Sequence, residues 1–124
     1  MRSPQKLAED YIEVWNELDA QRRHALLVAT WTEDATYVDP LMRGNGRAQI
    51  GDLITAVHDR FPGFRFSLLA AADGYGDAVR FSWGLGPEGG TAVVKGTDFV
   101  GRTGDRIASV TGFIDQLPVP QEAE

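Results

Sequence analysis

Residues 78–100 read AVRFSWGLGPEGGTAVVKGTDFV, and this stretch decides the fold. In its first part Val79, Phe81, Trp83 and Leu85 alternate with Arg80, Ser82 and Gly84. That is the two-residue period of a strand with one apolar face. The turn-rich segment Gly86 to Gly90 interrupts the pattern, and a second strand is expected from Thr91 to Val100. It places Val94, Gly96, Asp98 and Val100 on one side and Val93, Lys95, Thr97 and Phe99 on the other. So short a connection makes the pair antiparallel. Asp98 sits mid-strand on a face it shares with two valines. Strand propensity disfavours aspartate there, and an inward carboxylate must be paired, hydrogen-bonded or protonated.

Outward from this pair, Phe64 to Ala71 and Arg106 to Ile114 are two further strand candidates. The turn-rich stretches 73–77 and 103–105 separate them, so the second half reads as an antiparallel meander. The first half reads as helical. Ser3-Pro4 starts a helix with a capping hydroxyl and a proline where no N–H is needed. Leu7, Tyr11, Val14, Trp15 and Leu18 follow at helical spacing. Asp19 caps a second helix, with Leu26, Leu27, Thr30 and Trp31 on one side and Arg22 and Arg23 in water. A short strand covers Ala35 to Asp39, residues 42–46 read as loop, and a third helix runs from Arg47 to Phe61. Its stripe is Ile50, Leu53, Ile54, Val57 and Phe61, and Pro62-Gly63 stops it. Helices first and strands later is the signature of an α+β domain with helices packed on one sheet face. One domain over residues 1–117 is expected, with a Pro- and Glu-rich disordered tail over 118–124. The apolar residues on both faces of the 91–100 strand suggest that the second face is covered as well, by a homodimer formed through the sheet.

Composition narrows the function classes. The 124 residues contain no cysteine, which excludes disulfides, thiolate zinc sites and cysteine nucleophiles. A net charge of −6 argues against nucleic-acid and anionic-membrane partners, both of which need a positive footprint. No apolar run approaches a membrane span, and no apolar stretch follows the N-terminus, so a cytoplasmic location is expected. His24 and His58 are too isolated for a metal site, and both fall on predicted helices, His58 facing solvent. Residues 84–89 fit a dinucleotide-binding pattern letter by letter. A strand follows them, not a helix, and Pro87 interrupts them, so the phosphate-binding context is missing.

Three residues carry the candidate chemistry. Asp39, between Val38 and Pro40, is either a proton-abstracting base or a turn cap. Asp98 is either a neutral acid donating to a developing oxyanion or one half of an ion pair with Arg80 or Arg106. Tyr11 is either a further hydrogen-bond donor or a core aromatic. Trp15, Trp31, Phe81 and Trp83 would wall a pocket for a flat, apolar ligand.

The order helix, helix, strand, helix, four strands, with Thr36-Tyr37-Val38-Asp39-Pro40 and Gly96-Thr97-Asp98-Phe99, resembles the nuclear-transport-factor-2-like superfamily. Within it the chain resembles the SnoaL-like group, which includes polyketide cyclases and ketosteroid isomerases. The resemblance implies a cone-shaped, curved, mixed but mostly antiparallel sheet closed by three helices around a pocket. It implies a homodimer and cofactor-free proton transfer, of isomerase or cyclase type, on an apolar carbonyl compound. The alternative is a non-catalytic module of the same fold that binds an apolar small molecule or a protein. By similarity to the isomerases, Asp39 would be the base, Asp98 the protonated oxyanion donor and Tyr11 its helper. Two departures stand out. The segment from Tyr11 to Asp39 is about one helical turn longer than the isomerase pattern, which would draw Tyr11 away from the carboxylates. Gly96 stands where limonene epoxide hydrolases carry an arginine, so epoxide opening loses support.

Overall fold

The computed structural model describes residues 2–118. Helices α1 (Pro4–Asn16) and α2 (Ala20–Thr30) lead into strand β1 (Trp31–Val38). A short β2 (Arg43–Asn45) and helix α3 (Gly46–Arg60) follow. The chain ends in β3 (Phe64–Leu68), β4 (Asp73–Tyr75), β5 (Ala78–Pro87), β6 (Val94–Thr103) and β7 (Arg106–Gln116). One sheet runs in the order β2-β1-β7-β6-β5-β3, with β4 also on β5. Among the described residues, β1 and β7 pair in parallel and every other pairing is antiparallel. The result is an α+β fold in which a curved, unclosed sheet is covered by three helices. The proposed disordered tail lies, apart from Pro118, outside the described residues.

The helix starts follow from the capping residues. Ser3 Oγ accepts from Lys6 N at 3.1 Å and Pro4 opens α1; Asp19 accepts from Arg22 N at 2.9 Å at the start of α2. The buried stripe of α1 is Leu7, Ala8, Tyr11, Val14 and Trp15, which meets Trp31, Phe66, Val79 and Phe81 of the sheet in a single core. At the end of α1, Asn16 makes a reciprocal pair with the main chain of Phe66. Its Nδ2 donates to the carbonyl at 2.9 Å and its Oδ1 accepts from the N–H at 2.8 Å. One side chain thus satisfies the backbone of edge strand β3 and sets the distance from α1 to the sheet.

Several expectations are corrected. Leu18 lies beyond the end of α1 and is exposed. Arg23 is not in water. It is 5 % exposed, and its guanidinium donates to the carbonyls of Glu17 (2.9 Å), Leu18 and Gly51 (both 3.4 Å) and to Thr55 Oγ1 (2.6 Å). A chain leaving one helix and entering the next strands carbonyl groups, and the five donors of arginine reach several at once. His58 is likewise turned inward. Its Nε2 lies 2.6 Å from the Trp15 carbonyl near the end of α1, and its ring meets the edge of Phe66. Because a carbonyl only accepts, the proton is on Nε2. Strand β1 begins at Trp31 rather than Ala35, with a register shift before Thr36, because the fully buried Trp31 ring stacks on Tyr11. Residues 43–45 and 73–75, expected as loop and turn, form the short strands β2 and β4. Strand β6 begins at Val94, and residues 91–93 precede it. Among the described residues, no helix is long and apolar enough to cross a membrane.

Candidate functional site

The alternation read in β6 is realised: Val94, Gly96, Asp98 and Val100 are buried. Asp98 stands between Phe81 of β5 and Gly112 of β7 and is 2 % exposed. Both its oxygens meet neutral donors. Oδ2 accepts from the Tyr11 hydroxyl at 2.5 Å, at the short end for a charged acceptor, and Oδ1 accepts from the Trp83 indole N–H at 3.0 Å. The arginine clamp that was the alternative is not formed. Arg80 pairs instead with Asp73 on the outer surface, at 3.1 Å. Nor is Tyr11 drawn away by the longer segment that follows it. Tyr11 is fixed by Trp31 and Phe81, whose ring centroids lie 5.6 and 4.8 Å from its own.

Asp39 follows β1 directly. Its Oδ1 accepts from Leu41 N at 2.8 Å and Met42 N at 2.9 Å, so the carboxylate does cap the turn at Pro40. Its Oδ2 accepts from the Tyr37 hydroxyl at 2.6 Å. Gly112 lets the two carboxylates share one space. A Cβ there would lie 2.8 Å from Asp98 Oδ1 and 3.2 Å from Asp39 Cβ.

These side chains converge on one cavity. Tyr11, Tyr37, Asp39 and Asp98 line it together with Trp15, Phe66 and Trp83 and with Leu41, Met42, Val57, Leu85, Val94 and Ile114. Its empty volume, open solvent included, is about 490 Å³. It is a small slot with largely apolar walls. Of the four residues expected as walls, Trp15 and Trp83 line the slot. Trp31 and Phe81 do not; they lie behind Tyr11 and support it. Leu41, 70 % exposed, stands at the mouth on the turn that Asp39 pins. Among the described residues, no three His, Asp or Glu side chains converge as a metal site would require.

Burial in this slot pushes Asp98 up from 3.8 to about 6. The donors Tyr11 and Trp83 pull the other way, and the negative charges of Asp39 and Asp115 add to the rise. Burial, and then Asp98, raise Tyr11 well above the usual phenol range. Burial, then Asp98 and Asp39, do the same for Tyr37. Both phenols are therefore donors throughout the physiological range. Tyr37 is the member that sequence reasoning missed. Its signal was its spacing: residues two apart at the end of a strand share a face, and Asp39 was already singled out.

The comparisons with known proteins bear on this site. Residues 8–110 match the family model described as a SnoaL-like domain. Among solved structures, a candidate isomerase of the SnoaL-like family from Agrobacterium tumefaciens strain C58 is 42 % identical with a TM-score of 0.85. That match covers 92 % of this chain and 99 % of that one. A candidate ketosteroid isomerase from Kribbella flavida is 21 % identical, with a TM-score of 0.67 over 97 % of this chain and 83 % of that one. A candidate SnoaL-like polyketide cyclase from Jannaschia sp. CCS1 is 15 % identical, with a TM-score of 0.68 over 93 % and 90 %. The last two likenesses speak to the fold alone. Comparison with curated proteins gives no match.

The raised Asp98 has a consequence for stability. An acid with a higher pKa folded than unfolded binds more protons when folded, so its contribution is full below pH 3.8 and is lost as pH rises to about 6. Between pH 4 and 7 the protein should lose about 2 kcal/mol relative to Asp98→Asn, whatever constant offset the substitution introduces. Urea unfolding at a series of pH values measures this. Parallel curves for the two proteins would contradict it.

Proposed function

Because the chain belongs to the SnoaL-like domain family, we propose that it is a small pocket enzyme that moves a proton on an apolar carbonyl compound without a cofactor, in the manner of an isomerase or cyclase. The observation that carries this reading is the meeting of two tyrosine–aspartate pairs, Tyr11–Asp98 and Tyr37–Asp39, on one apolar slot. A flat ketone in that slot would lie between them.

Asp39 is the base. Its Oδ1 is occupied by two backbone N–H groups, but its Oδ2 accepts only from Tyr37 and keeps a lone pair for a proton next to the carbonyl. As that C–H bond breaks, its electron pair passes into the carbonyl and negative charge develops on the oxygen. Tyr11 donates to that oxygen while its own oxygen accepts from protonated Asp98 Oδ2, so the charge is spread over a two-member relay. Where the ketone carries a neighbouring double bond the intermediate is a dienolate, and return of the proton from Asp39 to its far carbon completes an isomerisation. Attack of the enolate carbon on a second carbonyl forms the ring bond, and passage of the Asp39 proton to the new alkoxide completes a cyclisation. Since Asp98 serves in its acid form, kcat/KM should fall as pH rises through about 6.

The homodimer expected from the doubly apolar sheet belongs to the same proposal. Phe99 of β6 and Phe113 of β7 stand half-exposed on the outer face with ring centroids 5.7 Å apart. An apolar pair of this kind on a broad sheet favours a second copy of the chain. Sedimentation at micromolar concentration should give a dimer that Phe113→Lys converts to monomer. A wild-type monomer under those conditions would sink this part of the reading.

Deuterium incorporation into small cyclic ketones in D2O, followed by NMR, tests the reaction without knowledge of the natural product. Exchange next to the carbonyl should run faster than in buffer, and Asp39→Asn should slow it by at least about 100-fold. The variant should still gain thermal stability from the same ketones, because binding does not need the base. Stabilisation by ketones with no exchange in the unaltered protein would mean a binding module instead.

A further inference from the structure

The three tryptophans are not equivalent. Among the described residues, the buried indole N–H groups of Trp15 and Trp31 find no acceptor, whereas Trp83 donates its N–H to Asp98. That bond takes an unusual route. Trp83 on β5 stands opposite Gly96, and Asp98 stands opposite Phe81, so the indole must lean diagonally over β6 by two residues to reach the carboxylate. Gly96 makes the path possible: a Cβ there would lie 2.6 Å from Trp83 Cε2 and overlap the ring. A strand glycine that forgoes a side chain, and an indole that fills its place, therefore end on one oxygen of one buried acid.

The two donors to Asp98 differ in kind. A tyrosine hydroxyl donates to an ionised carboxylate and accepts equally well from a protonated one. An indole N–H only donates. Trp83 therefore keeps Oδ1 as an acceptor in either state, and a proton on Asp98 has only Oδ2, the oxygen facing Tyr11, as its place. We propose that Trp83, seated over Gly96, is the positioning residue that directs the Asp98 proton to Oδ2 and favours the ionised carboxylate, and so sets the upper pH limit of the Asp98–Tyr11 relay. This rests on the reading in which that relay faces the substrate oxygen. The other groups that act on Asp98 are Tyr11 from α1, Tyr37 from β1, Asp39 from the turn after it and Asp115 from β7. Helix α3 presents only Val57 to the slot. Of all these, Trp83 alone is a donor that cannot reverse.

The experiment follows the carboxyl carbon of Asp98 by ¹³C NMR across pH 4–9 in protein labelled at aspartate. Trp83→Phe keeps a ring in the wall and removes the N–H. The Asp98 midpoint should rise by about one pH unit, a tenfold gain in proton affinity, and the descending limb of kcat/KM should move with it. In the unaltered protein the Trp83 indole ¹H–¹⁵N signal should titrate with the Asp98 midpoint, a readout that needs no variant to fold. An Asp98 midpoint unmoved in folded Trp83→Phe, or an indole signal flat over this range, would overturn the proposal. These titrations require no turnover. Failure to exchange ketone protons would therefore remove the catalytic reading while leaving the Trp83–Asp98 linkage to be judged by itself.

Discussion

The structure depends on a carboxylate placed where carboxylates are costly. Asp98 is nearly sealed from solvent, on the inner face of the sheet, with no cation beside it among the described residues. What makes the position tolerable is the number and direction of neutral donors: a phenol from α1 on one oxygen and an indole from β5 on the other. Those donors come from elements far apart in the chain. Tyr11 can reach Asp98 only if α1 crosses the sheet at the right height, and that height is held by Asn16 on the main chain of β3 and by the stacking of Tyr11 on Trp31. Placing the acid and placing the helix are one problem with one solution.

The same arrangement accounts for the chemistry the slot can support. Tyr11 holds its proton far more tightly than Asp98 does, so the pair works by hydrogen bonding and not by ionising the phenol: under the proposed function the hydroxyl accepts from protonated Asp98 while it donates to the substrate oxygen. On the other wall, Asp39 has two tasks. One oxygen anchors the turn that carries Leu41 and Met42 to the mouth, and the other faces the slot with Tyr37. The turn-capping and base readings were posed as alternatives. Oδ1 caps the turn and Oδ2 meets Tyr37, so under the proposed function the two readings fall on different oxygens.

How far this could be read from the chain depends on the range of each interaction. The inward face of β6, the helix caps at Ser3 and Asp19 and the apolar stripe of α1 rest on local periodicity and short-range hydrogen bonds, and all were legible. Arg23 and His58 were misread because a charged or polar side chain on a helix is ordinarily solvated. Each is drawn inward here by carbonyl groups at the end of α1, and only the packing of α2 and α3 against that end brings donor and acceptor together. The short strands β2 and β4 were hidden in turn-rich sequence because neighbouring strands, not their own residues, define them. Among site residues, Tyr11, Asp39 and Asp98 were singled out. The partnership of Tyr37 with Asp39 was readable from their spacing but passed over. Trp31 and Phe81 were placed one layer too far forward, since an apolar alternation does not distinguish the lining of a slot from the layer behind it. The space at Gly112 and the diagonal of Trp83 over Gly96 depend on strand register and lie beyond what one strand's pattern can convey.

Asp39 and Asp98 face one apolar space, and the negative charge of Asp39 raises Asp98 across it. The direct measurement is the Asp98 midpoint by ¹³C NMR in Asp39→Asn, which keeps an acceptor for the Leu41 and Met42 N–H groups and removes the charge. The account predicts that the midpoint falls below its value of about 6, because a neighbouring negative charge has been taken away. A midpoint that stays where it was would contradict the account and leave two unconnected acids on a familiar fold.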